Sequence, residues 1–75
     1  MLSKKGALNN LVGKKISIDK NPHGIYIHKR HKQDLYYTVT EIGDDMFAAT
    51  VYLKDYPQRT ELFSIDKVIG IDGSI

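Results

Sequence analysis

Tyr37-Thr-Val-Thr-Glu-Ile-Gly-Asp-Asp-Met-Phe-Ala-Ala-Thr-Val51 decides how this chain folds. Two runs rich in β-branched and aromatic residues flank Gly43, Asp44 and Asp45, a composition that supplies turn conformations and interrupts pairing. Side chains alternate between the faces of a strand. Leu35, Tyr37 and Val39 therefore share one face, and Phe47, Ala49, Val51 and Leu53 share the matching face of the partner. The spacing predicts an antiparallel hairpin of strands over 35–42 and 46–53.

Working outward, Lys54 to Gln58 contains Asp55 and Pro57 and reads as a second turn, followed by a strand over 60–65. Asp66 and Lys67 make a short turn before a last strand over 68–71. Towards the N-terminus, residues 14–19 alternate with Ile16 and Ile18 inward and Lys15, Ser17 and Asp19 outward. Asn21, Pro22 and Gly24 signal a turn, after which Ile25 and Ile27 alternate with Tyr26 and His28. Residues 28–34 form a polar run that reads as an exposed loop or hairpin tip. Ser3 is a helix N-cap candidate, Leu8, Leu11 and Val12 fall on one helical face, and Gly13 suits a C-cap, so residues 3–12 read as a short helix. The expected fold is mainly β. Five or six short strands form a small, strongly bent barrel behind a short N-terminal helix, because closure removes bare edges. Gly43 and Gly70 are candidate bend points.

The whole chain of 75 residues makes one domain, residues 1–75. A chain this short buries only about 60% of its unfolded surface, so self-association is a natural source of further stability. Apolar residues at 41% and charged ones at 27% are the balance of a folded globule. There is no cysteine, which removes disulfides and thiolate metal sites and fits a reducing compartment. The N-terminal residues lack the apolar run of a signal peptide, and no stretch reaches the length of a membrane span, so the expected location is the cytoplasm. Charge is unevenly distributed. Residues 1–32 hold eight Lys/Arg and one acid, a net +7, and residues 33–75 hold three Lys/Arg and eight acids, a net −5. Such asymmetry suggests a two-sided particle with one face suited to anions.

The basic segment His28-Lys-Arg-His-Lys32 is the candidate anion site. Lys29, Arg30 and Lys32 would neutralise phosphates, His28 and His31 would add donors, and Tyr26 would offer a face for base stacking. Lys14 and Lys15 extend the patch if the first strand lies beside it. His28 and His31, three apart on extended chain, would face opposite sides, so no metal site is expected. Asp44 and Asp45 read as turn residues. No nucleophile–base pair or phosphate-cradling glycine loop stands out, so neither catalysis nor a cofactor is expected.

Four features resemble the Sm-like family of small SH3-like barrels. A helix runs into Leu11-Val-Gly-Lys-Lys-Ile-Ser-Ile18, and Thr40-Glu-Ile-Gly-Asp-Asp-Met-Phe47 is similar to the first Sm motif. A variable loop follows, and Leu62-Phe-Ser-Ile-Asp-Lys-Val-Ile-Gly-Ile71 is similar to the second motif. The likeness covers residues 8–72 and implies a homo-oligomeric ring in which the fourth strand of one subunit pairs with the fifth of the next. It also implies single-stranded RNA binding, as in many members. The chain departs from the family at Ala48, where RNA-binding members carry Asn, and at Asp66, where they carry a basic turn. An insertion spans residues 22–34. These departures move the expected RNA or single-stranded DNA contact from the pore to the basic loop. The alternative is an oligomeric scaffold or protein-interaction module that binds no nucleic acid.

Overall fold

The computed structural model describes residues 3–30 and 34–72. Helix α1, Lys4–Asn9, starts where the Ser3 hydroxyl accepts the Gly6 N–H at 3.0 Å. It is shorter than the apolar spacing predicts. Leu11 stays buried after the helix ends, whereas Val12 leaves the helical path and forms a parallel bridge to Val39. Gly13 permits that exit, with φ at +80° and its N–H donated to the Val39 carbonyl at 2.9 Å.

Six strands follow: β1 Lys15–Asn21, β2 Gly24–His28, β3 Leu35–Ile42, β4 Met46–Leu53, β5 Tyr56–Ser64 and β6 Val68–Ile71. A 3-10 turn, Ile65–Lys67, joins the last two. The protein is mainly β, with a six-stranded sheet in the order β5-β4-β3-β1-β2-β6. The β3–β4 hairpin forms over the predicted spans and joins the predicted faces, with Tyr37 opposite Val51 and Val39 opposite Ala49. Its bulge lies between Val39 and Glu41 rather than at Gly43. Strand β5 begins four residues before the sequence predicts. The β4–β5 turn uses only Lys54 and Asp55, at φ +52° and +67°, the left-handed pair a tight hairpin needs. Pro57 then falls inside β5, which an edge strand accommodates beside the bulge between Val51 and Tyr52.

The core lies on one face of the sheet, beneath α1. Phe47, Leu8, Ile16, Ile27, Ile71, Val39 and Val68 are its largest fully buried side chains, with Phe63 stacked 5.2 Å from Phe47. Leu35 and Leu53 share the core-facing parity but are exposed, because they pair with each other at the end of the ladder, beyond the stretch where β1 lies against β3. The sheet bends without closing. β5 and β6 are its edges, and no ladder joins them. Curvature nevertheless brings Glu61 of β5 to Lys20 of β1, across the two intervening strands β4 and β3, at 2.6 Å. The Cα radius of gyration, 11.3 Å, matches the roughly 11 Å of a compact chain of this length.

Candidate nucleic-acid interface

The β1–β2 hairpin gathers the described part of the predicted patch at one end. Asn21 sets the turn, its Oδ1 accepting the N–H groups of His23 at 2.9 Å and Gly24 at 3.0 Å. The register then runs from Asn21 opposite Gly24 to Ser17 opposite His28. Pairing puts Ser17, Asp19, Tyr26 and His28 on the face away from the core, and Lys15 continues that row. Beyond His28 the chain stays close to β1, because the Ser17 hydroxyl donates to the Arg30 carbonyl at 3.0 Å. Lys14 and Lys15 therefore lie at the same end of the hairpin as Lys29 and Arg30. His31 and Lys32 lie outside the described residues.

Tyr26 and His28 form an aromatic pair with ring centroids 4.7 Å apart. Tyr26 lies across β6, where Gly70 makes room: a Cβ there would stand 2.6 Å from Tyr26 Cε2. Close approach of a ring, rather than a bend, is what Gly70 allows. Beside the pair, β1 and β3 diverge past Ile16 and Tyr37. The gap is a cleft of about 260 Å³ lined by Ser17, Ile18, Asp19, His28, Leu35 and Tyr37.

The charges of this patch are unequal in availability. Lys14, Lys29 and Arg30 are exposed and form no ion pair with another described residue. Lys15 is engaged: its Nζ is 3.6 Å from Asp55 Oδ1 and 4.7 Å from the centre of the Tyr36 ring. Asp19, opposite Tyr26, places a carboxylate in the middle of the row. The basic and acidic halves of the chain do not segregate. Lys5–Asp44 at 3.0 Å, Lys15–Asp55 and Lys20–Glu61 each join one half to the other. The sheet order explains this, since it sets β1 beside β3 at the centre.

Two side-chain clusters escape sequence reasoning. On the outer face, Tyr36 is buried. It stacks on Tyr52 at 5.1 Å with rings 4° from parallel, and its hydroxyl donates to Asp55 Oδ1 at 2.7 Å. That hydrogen bond is the main reason its pKa is pushed up to about 12. On the inner face, Glu61 accepts from Lys20 at 2.6 Å and Tyr37 at 3.0 Å, with Arg59 at 3.4 Å. The Lys20 hydrogen bond holds the Glu61 carboxyl below its usual range and raises the Lys20 ammonium. Burial, then the Glu61 contact, raises the Tyr37 hydroxyl. The adjacent tyrosines were a visible signal for opposite faces. Their acidic partners, 19 and 24 residues away, were not.

His23 sits in the β1–β2 turn and His28 at the far end of β2. Among the described residues no three metal-ligating side chains converge, and no helix is long and apolar enough to cross a membrane. Comparison with family models, curated proteins and solved structures gives no match.

Proposed function

We propose that this protein is a non-enzymatic, Sm-like, ring-forming module of the cytoplasm that takes single-stranded RNA or DNA on the basic end of its β1–β2 hairpin. The observation carrying the reading is the pair of unlike edges, β5 and β6, at opposite ends of one bent sheet. An edge strand presents unpaired backbone donors and acceptors. Joining the β5 edge of one copy to the β6 edge of the next uses two different surfaces, so repetition closes a ring when the rotation allows it. Large apolar side chains mark both edges: Tyr56 is 72% exposed and Leu62 70% on β5, and Ile69 is 45% exposed on β6. For the nucleic acid, the exposed charges of Lys14, Lys29 and Arg30 flank the Tyr26–His28 pair, joining phosphate neutralisation to base stacking.

Size-exclusion chromatography with light scattering, with and without oligo(U), tests both parts. The expected species is a discrete multiple of 8.5 kDa that shifts on adding oligo(U) at low salt. Leu62→Lys should yield monomer. Replacing Lys29 and Arg30 by Gln should weaken oligo(U) binding and lower its salt slope by about 1.4, at about 0.7 per phosphate contact on a single strand. Monomer at micromolar concentration refutes the ring. A ring that ignores oligo(U) at low salt leaves the second reading, a scaffold without nucleic acid. That reading draws support from Asp19 within the patch and from the acidic partners of Lys5 and Lys15.

A further inference from the structure

A second groove lies at the other end of the β1–β2 hairpin. It encloses about 330 Å³ between the hairpin turn and the 3-10 turn that precedes β6. Pro22, Ile25 and Phe63 supply apolar wall, and Lys20, His23 and Lys67 supply the polar rim. The lining contains no carboxylate. Glu61 stands behind Lys20, but it is shared between Lys20 at 2.6 Å and Arg59 at 3.4 Å, so two cations meet one anion. Lys67 is exposed and forms no ion pair with another described residue. Lys20, Arg59 and Lys67 against Glu61 and Asp66, the neighbour of Lys67 in the 3-10 turn, leave a net charge of +1 without counting His23.

The groove is also preorganised. Asn21 ties the turn through two backbone N–H groups, which sets His23 in place. Gly24, at φ +153°, lets the turn press against its neighbour: a Cβ there would stand 2.6 Å from the Lys67 carbonyl oxygen and 2.6 Å from Ile69 Cγ2. Lys20 lies over the Phe63 ring, its Nζ 5.2 Å from the ring centre, so cation and apolar wall are held together. A rigid wall reduces the ordering cost of binding.

From this arrangement we infer that the groove binds a 5′-phosphorylated nucleotide, with the phosphate between Lys20 and Lys67 and the base against Pro22 and the His23 ring. A bare inorganic anion would leave the apolar wall unused, and an uncharged nucleoside would leave the rim unused. Imidazole and proline faces accept a flat base without demanding its identity. The inference rests on neither ring formation nor the basic loop, which lies at the opposite end of β2.

An NMR amide titration with AMP tests it. The expected shifts are saturable at millimolar AMP and confined to residues 20–25 and 67, with weaker responses to inorganic phosphate and to adenosine. Lys67→Gln should weaken AMP about fivefold, the effect of one unit charge near 4 Å in a water-exposed site. Gln at positions 29 and 30 together should leave AMP binding unchanged while impairing oligo(U). A 5′-phosphorylated oligo(A) that binds more tightly than AMP, with its 5′-hydroxyl counterpart inert at these residues, assigns the nucleotide to a strand end. Equal affinity of AMP and the phosphorylated strand assigns it to free nucleotide. The inference is overturned by an absence of shifts at millimolar AMP, by shifts confined to residues 28–30, or by a Lys67→Gln protein of unchanged affinity.

Discussion

Replacing Glu61 by Gln removes one charge from the contact that bridges β5 and β1 across the bent sheet. The carboxylate serves Lys20 at 2.6 Å and Tyr37 at 3.0 Å, and a single amide oxygen cannot serve both equally. Glu61 is 19% exposed and Lys20 49%, so the ion pair keeps only part of its Coulomb energy; exposed pairs of this kind contribute about 0.2–1 kcal/mol. A hydrogen bond to a charged acceptor exceeds one to a neutral acceptor by about 0.5–1 kcal/mol. Together the loss is about 1–2 kcal/mol, which in a domain of this size lowers the melting temperature by roughly 4–16 °C. The pH dependence follows from the direction of the Glu61 shift. Its carboxyl is held below the ordinary value of 4.5, so the stabilisation is fully present above that value and disappears as pH falls through the lowered one. Thermal unfolding of wild type, Glu61→Gln, Lys20→Met and the double variant, at neutral pH and again well below pH 4, isolates the coupling. A coupling energy of zero at neutral pH, or a Glu61→Gln deficit equally large in acid, refutes the reasoning.

Three further outcomes are expected. Spectrophotometric titration should find a tyrosine ionising near pH 12, lost in Tyr36→Phe; because the folded pKa is raised, the stability tied to it is present below pH 10 and falls as pH rises through about 12. Phe47→Ala, at a fully buried position, should cost about 3–5 kcal/mol and leave the protein largely unfolded by circular dichroism at 25 °C, given the small stability of so short a chain. Lys54→Asn should raise the urea midpoint, by an amount equivalent to about 0.5–1 kcal/mol, since Asn tolerates the left-handed conformation at φ +52° better than Lys does. An unchanged midpoint would show that the turn carries no strain.

Much of the strand content was legible because alternation is a local property. Ile16, Ile25, Ile27, Val39, Phe47, Ala49 and Val51 occupy the core that their spacing assigns. Errors arose where tertiary context overrode a local signal. Pro57 suggested a longer turn, yet an edge strand tolerates it. Leu35 and Leu53 had the right parity but lie beyond the cover of β1. Alternation puts Tyr36 on the face away from the core, and only the placement of Tyr52 and Asp55 against it buries it there. For the candidate site, the sequence named Tyr26, His28, Lys29 and Arg30 as neighbours along the chain. Their proximity to Lys14 and Lys15 came from the hairpin register, and the acidic partners of Lys15 and Lys20 came from sheet order and curvature.

By itself the sequence determined a mainly β chain, the principal hairpin, the inward face of most strands and an uneven distribution of charge. Tertiary structure alone decided that β1 lies between β3 and β2, that β6 runs parallel to β2, and that the two charge halves meet. The division has a physical cause. Alternation and turn chemistry act over a few residues. The Lys5–Asp44, Lys15–Asp55 and Lys20–Glu61 contacts each bring together residues about forty positions apart, and only the order and bending of the assembled sheet sets which of them meet.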